Sequence, residues 1–395
     1  MKNRISVLYI TVPSYFDLEI SLIRELDKLV DLTVLLLITP QSKQSSAFEI
    51  NDLPSISGIY NASEIIEMSK YAHLIPLENL YLYILSRKSG LSIKSINNEI
   101  RLFLKDKSFD LIHATSLGNF AALIYPCFSQ IKNRLLTIHD PIPHHKLSFI
   151  KRFIHELVIY WFRNILLLNR GQTKYFKKRF HFKQPKIYFS RLGVYDYLKS
   201  FPVQGLMPFK KNKYILFFGR IEPYKGVDNL IRAFEKSKAI KSGFKLVIAG
   251  KGLIKETITN REWIICLNNY IPNELLSRLI KKAAFTVLPY QSATQSGVIM
   301  SSYACETPVL VTPVGDLPYA TKSISGEDLG YVCDGITDED IAKGINHMIS
   351  TPKILIEYKS NIKKVTSLNG ELNWRKITSD IECIYKDILN KKNAL

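Results

Sequence analysis

Residues 214–234 read YILFFGRIEPYKGVDNLIRAF. Tyr214 to Phe218 is an unbroken apolar run rich in aromatics, which predicts a strand buried on both faces. Val227, Leu230, Ile231 and Phe234 then recur at helical spacing. Asp228 sits early in that helix, where the dipole favours an anion. The turn between them carries Gly, Pro and charge. It sets Arg220 and Lys225 at the carboxyl end of a strand, the edge where doubly wound sheets bind ligands. Arg offers phosphate oxygens a planar fork, and Lys a mobile point charge. Spacing alone leaves a second reading open, in which both are solvated loop cations.

The chain around this stretch has 395 residues, too many for one core and suited to two domains of ~200 residues. A hydrophobic content of 46% is that of a soluble globular protein. The net charge of +19 calls for an acidic partner: nucleic acid, anionic lipid or a phosphorylated substrate. Cys127, Cys266, Cys305, Cys333 and Cys383 are scattered without a C-x-x-C pair. They suggest neither a disulfide framework nor a zinc site, and they fit a reducing cytosol. The opening MKNRISVLYIT has a basic start and a short apolar run, but no small-residue cleavage site follows. It reads as a first buried strand and not as a signal peptide.

Residues 5–10 are expected as that strand, 11–16 as a turn, 17–29 as a helix and 32–38 as a second strand. This is the start of a βαβ unit. Residues 41–48 read as a loop, and 81–85 and 93–104 as helices. A strand ends at His113, a helix follows Gly118, and a strand over 135–138 delivers HDPIPHH at 139–145. His139 and Asp140 thus stand at a strand's carboxyl end. A loop histidine is more often structural or exposed than catalytic, so both readings stand. The prolines between the three histidines, and the lack of a carboxylate beyond Asp140, argue against zinc.

Residues 146–183 carry ten Lys or Arg (146, 151, 152, 163, 170, 174, 177, 178, 179 and 183) against the single acid Glu156. Arg163 and Asn164 interrupt the apolar stretch at 153–168, which is short of the ~20 residues a span needs. The parse is a helix to about Trp161, a strand over 165–168 and a basic helix through Phe180. Aromatics beside the cations suit an anionic membrane surface; a solvated face covering the core is the alternative. No helix-turn-helix, zinc-finger or RNP-type motif accompanies the charge, so no nucleic-acid partner is expected.

Beyond a strand at 186–189 and the turn-rich 201–213, strands are expected at 214–218, 244–249, 263–267, 285–288 and 309–312, the last clear one. Helices are expected at 273–282, 296–305, 341–349, 354–365 and 372–389. Gly250-Lys251-Gly252 is a short loop in which backbone can approach a ligand. Small residues let the 296–305 helix lie close to the sheet. Its first amides, at Ser296, Gly297 and Val298, form an anion site, while Thr294 and Ser296 also read as ordinary caps.

GRIEPYKGVDNLIRAF (219–234), KLVIAGKG (245–252) and LPYQSATQSGVIMSSYACETPVLVTPVGDLP (288–318), in that order and spacing, resemble the family-four group of retaining GT-B glycosyltransferases. That group builds bacterial surface polysaccharides and glycolipids. The resemblance implies an α/β fold of two Rossmann-like domains facing a cleft, with the C-terminal helix crossing back to the first. The expected divisions are 1–200 for the acceptor domain, 201–213 for a linker, 214–370 for the donor domain and 371–395 for the returning helix. It implies that Gly219, Arg220, Lys225 and the helix start at 296–298 hold the diphosphate of a nucleotide-sugar. It places Tyr270 and Ile271 against the nucleobase, and Gly250, Thr294 and Gln295 near the donor. TIHDPIPH (137–144) resembles the loop whose histidine contacts the donor sugar, which makes His139 catalytic with Arg220 and Lys225.

Two departures stand out. Where the family carries two glycines in its first loop, this chain has Pro13-Ser14-Tyr15, so Ser14 and Tyr15, with Asp140, are the acceptor-side candidates. Where it carries two glutamates, this chain has Ala293 and Ser301, and no acid occurs from Phe285 to Cys305. Gln295 is then a neutral substitute near the sugar.

The resulting expectation is a metal-independent, retaining hexosyltransferase without cofactor, using a UDP- or GDP-linked sugar. The acceptor is a glycan or lipid-linked glycan, and the enzyme is cytoplasmic or peripheral on the inner membrane face. The alternatives are a catalytically inactive partner subunit and a sugar-nucleotide epimerase on the same fold.

Overall fold

A computed structural model describes residues 4–40, 50, 52, 54–85, 92–139, 148–168, 173–179, 185–202, 213–256, 261–293 and 296–390. The chain forms two compact units, one of residues 1–192 with 374–395 and one of residues 193–373.

The first unit holds an eight-stranded sheet: β1 (Ser6–Thr11), β2 (Asp31–Ile38), β3 (Gly58–Asn61), β4 (Leu80–Ile84), β5 (Leu111–Ala114), β6 (Asn133–Ile138), β7 (Asn164–Leu167) and β8 (Lys186–Phe189). The spatial order is β3-β4-β2-β1-β5-β6-β7-β8, and only the β3–β4 pair is antiparallel. Its helices are α1 (Pro13–Leu26), α2 (Ile93–Phe103), α3 (Asn119–Ile124), α4 (Phe149–Phe162) and α5 (Thr173–Arg179).

The second unit holds six parallel strands: β9 (Tyr214–Phe218), β10 (Lys245–Ala249), β11 (Ile264–Leu267), β12 (Phe285–Leu288), β13 (Val309–Val311) and β14 (Gly330–Val332). Around them lie α6 (Val227–Lys236), α7 (Asn273–Lys282), α8 (Gly297–Ala304), α9 (Leu317–Ala320), α10 (Asp338–Ser350) and α11 (Pro352–Thr366). The strand order β11-β10-β9-β12-β13-β14 is the 3-2-1-4-5-6 order of a dinucleotide-binding sheet. Chain direction along the sheet reverses between β9 and β12, so loops leaving those two strands diverge and open a crevice. The fully buried β9 supplies the central strand. The last helix, α12 (Trp374–Asn390), belongs to the first unit and packs on α1 and β6.

Several expectations need correction. Residues 81–85 are not helical. They fall in β4, whose residues from Leu82 to Ile84 are buried, so no helical stripe exists to be read. Strands β3 and β14 are three or four residues long and pass unnoticed in the sequence. The turn predicted for 11–16 is too long: α1 starts at Pro13, which has no amide hydrogen to lose in a first turn. Ser14 and Tyr15 are therefore helical.

The first domain is also shorter than expected, since residues 193–200 belong to the second unit. The single turn Asp196–Ser200 is tied there. Ser277 Oγ donates to the Leu198 carbonyl at 2.7 Å, and Lys281 Nζ to that of Phe201 at 2.8 Å. The returning segment starts at residue 374, not 371.

Candidate functional site

Three loops of the second unit meet at the β9–β12 reversal. Gly219 leaves β9 with a positive φ and donates to the Ala249 carbonyl at 3.0 Å; Ile221 donates to that of Lys251 at 2.9 Å. The two loops run so close that a Cβ on Gly250 would lie 1.9 Å from the Gly219 oxygen. The chain next makes one tight turn, Pro223–Lys225, closed by Gly226 in the left-handed region at φ 66°. The Gln291 amide donates to the Tyr224 carbonyl at 2.7 Å and fastens this turn to the loop after β12.

That geometry folds Lys225 inward. Its side chain is only 8% exposed, with Nζ 5.4 Å from the centroid of the buried Tyr290 ring. A Cβ on Gly219 would lie 3.3 Å from Lys225 Nζ and 3.7 Å from Val298 Cγ2, so strand end, cation and start of α8 converge. Among the described residues, no carboxylate lies within ion-pair distance of Lys225. Arg220 is 78% exposed and stands 3.7 Å from Glu222. Burial first, and then the Arg220 charge, push the Lys225 ammonium down from 10.5 to about 8. Desolvation disfavours the charge, and the Glu222 carboxylate and the Tyr290 ring offset that cost only in part.

Between those two values the unfolded chain binds more protons than the folded one, so stability rises with pH across that window. Anion affinity runs the other way, because only the ammonium attracts a diphosphate. Nucleoside diphosphate affinity is expected to fall as pH rises from about 7 to about 9.5, measured by calorimetry. An affinity constant across that range would separate Lys225 from the anion.

Ser296 caps α8, its Oγ accepting from the Val298 amide at 3.3 Å. The capping reading of Ser296 thus describes the protein as it stands. Gly297 allows Tyr195 close, since a Cβ there would lie 2.5 Å from its hydroxyl. Asn268 ties the loop holding Tyr270 and Ile271 to the one after β10, through two bonds with the Gly252 backbone at 2.9 and 3.0 Å. Tyr270 is 59% exposed and Ile271 half-buried. Thr294 and Gln295 lie outside the described residues, as does Asp140.

The first unit gathers a second polar cluster at the carboxyl ends of β1, β5 and β6. His139 is buried, and its ring stacks on Tyr15 at 4.1 Å. Ser14 is exposed in the same helical turn. His139 Nε2 lies 3.5 Å from Oε1 of the buried Glu19, yet neither imidazole nitrogen has a hydrogen bond among the described residues. Thr11 Oγ1 donates to the other Glu19 oxygen, and Thr115 Oγ1 to Thr11 Oγ1 at 3.0 Å. Sequence reasoning missed Glu19, although a signal exists. Phe16, Glu19, Ile20 and Ile23 share the inner stripe of α1, so a carboxylate interrupts an otherwise apolar face. His113, by contrast, is a satisfied core histidine. Its nitrogens contact Tyr385 Oη at 2.6 Å and Thr137 Oγ1 at 2.7 Å, and burial pushes it down to about 3. No group of metal-ligating side chains is present among the described residues.

Residues 204–365, all in the second unit, match the family model described as "Glycosyl transferases group 1". An uncharacterized glycosyltransferase of Methanocaldococcus jannaschii is 28% identical over 181 residues, 44% of this chain and 45% of that protein. A D-inositol 3-phosphate glycosyltransferase of Thermobifida fusca is 26% identical over 193 residues, 45% of this chain and 43% of that protein. The chain thus spans less than half the length of these relatives. Anabaena HepE, solved in complex with UDP-glucose, superposes with a TM-score of 0.66 at 13% identity, covering 97% of this chain and all of that one. The fold is therefore GT-B, and residues 204–365 of the second unit are similar to the glycosyl transferases group 1 family.

Proposed function

We propose that the chain is a retaining glycosyltransferase that moves a hexosyl group from a UDP- or GDP-linked sugar to a glycan or lipid-linked glycan acceptor. On this reading it acts in surface polysaccharide assembly, in the cytoplasm or peripherally on the inner face of the membrane. The observation that carries it is Lys225, a desolvated ammonium without a carboxylate partner among the described residues, set where a doubly wound sheet binds nucleotides. The UDP-glucose bound by the similar Anabaena structure supports a nucleotide-sugar donor.

As the glycosidic bond breaks, the leaving diphosphate gains negative charge. Lys225 and Arg220, with the dipole of α8, stabilise that charge where it develops, so no metal is needed for it. His139 takes the sugar-contacting role that the sequence resemblance implies.

The test is a transfer assay with a panel of UDP- and GDP-sugars and lipid-linked acceptors, following diphosphate release and the anomeric configuration of the product. Acceptor-dependent release with retained configuration is expected. A folded protein that binds nucleotide but consumes no donor would be a partner subunit. Conversion of the donor without acceptor, into its epimer, would make it an epimerase.

A further inference from the structure

Helix α4 has two apolar faces where a surface helix needs one. Val158, Ile159 and Phe162 face inward and join the core of the first unit. Arg134 secures the end of the helix, donating to the Trp161 carbonyl at 3.1 Å and stacking on the Trp161 ring. The other face is bare: Phe149 is 83% exposed, Ile150 69%, Phe153 55%, Leu157 52% and Tyr160 51%. Offsets of 1, 4, 8 and 11 residues from Phe149 put all five within an arc of about 100°. Five large side chains on one arc form a patch, not the scattered exposure that every surface shows. The adjoining α3 exposes Leu123 as well.

Charge identifies the occupant. Lys151 and Arg152 are exposed in the first turn of α4, Arg163 at its end, and Lys177 and Lys178 on α5. The only acid from 146 to 183 is Glu156. An apolar stripe flanked by cations lies in the headgroup region of an anionic bilayer, aliphatic and aromatic groups inward and cations at the phosphates. No helix among the described residues is long and apolar enough to cross a membrane. A purely acidic protein partner would use the cations and leave the stripe wet.

We propose that the outer face of α4 docks the protein on an anionic membrane surface. This rests on the peripheral-membrane part of the reading above and names the face responsible. Vesicle binding requires no turnover, so it stands or falls separately from the transfer assay.

The experiment is flotation of the full chain with vesicles of phosphatidylcholine alone or with about a third phosphatidylglycerol, at low and high salt. Wild type should float with the anionic vesicles and release as salt rises. Phe149→Ser/Phe153→Ser/Leu157→Ser should weaken binding by roughly 10²-fold, and Lys151→Glu/Arg152→Glu by at least ~10-fold. All five positions are exposed, so unchanged circular dichroism is expected. Equal binding to both vesicle types, undiminished binding of the Ser variant, or no binding of wild type would each overturn the proposal. So would concentration-dependent self-association without lipid that the Ser variant abolishes, which would make the stripe a contact between copies.

Discussion

Replacing Lys225 with Ala is expected to slow sugar transfer by ~10²-fold or more at saturating donor. The ammonium is held in a site that costs it solvation, with no carboxylate within ion-pair distance among the described residues, and on the proposed reading its charge is met by the diphosphate. The same physics gives stability the opposite sign. Because the folded protein holds this proton less tightly than the unfolded chain, the charged lysine weakens the fold at neutral pH. Lys225→Met, which keeps the stem and drops the charge, should lose activity while its denaturation midpoint holds or rises. Arg220→Ala should lose a similar factor with no change in stability, since Arg220 is largely exposed. Normal turnover in a folded Lys225→Ala protein would remove the residue from the chemistry. Parallel loss of stability in Lys225→Met would show a structural role instead.

Gly226→Ala should be among the most damaging single-methyl changes. Gly226 sits at φ 66°, and an added Cβ would lie 2.1 Å from the Pro289 carbonyl oxygen. The left-handed conformation alone costs a non-glycine residue about 1–2 kcal/mol. The collision adds a further ~1–3 kcal/mol, because the obstacle is backbone and one loop must move. Gly243 provides the control, with φ 74° and nothing within 4 Å of its would-be Cβ. Gly243→Ala should therefore cost only about 1–2 kcal/mol. Moving the Pro289 loop also moves Lys225, so Gly226→Ala should lose more activity than its folded fraction explains. Equal destabilisation of the two variants in urea would show that the loops leaving β9 and β12 are not packed as described.

Much of the second unit's fold was legible because it depends on local patterns. An apolar run of five, two cations five residues apart in the turn from strand to helix, and a helix of small residues each left a local mark in the sequence. These marks locate β9, its turn, α6 and α8. What was hidden depends on distant partners. Residues 81–85 read as helical until β2 and β3 are seen on either side of β4. Tyr15 reads as an acceptor-side candidate from its place in the first loop, but its stacking on His139 joins residues more than a hundred positions apart and leaves no local mark. Glu19 was concealed by its neighbours, and only the inner stripe of α1 singles it out. The boundary of the first unit was misplaced because the hydrogen bonds that hold residues 196–201 come from α7.

On the proposed reading, the second unit grips its donor through the diphosphate. Here Ala293 and Ser301 stand in the segment without acids, so no carboxylate from residues 285–305 can make charge-assisted bonds to ribose hydroxyls. Calorimetric titration of the wild-type protein near neutral pH with UDP, GDP and their bare nucleosides tests this most directly. One diphosphate is expected to bind at least ~10²-fold more tightly than its own nucleoside. A nucleoside that binds nearly as well as its diphosphate would contradict the account and place the grip elsewhere.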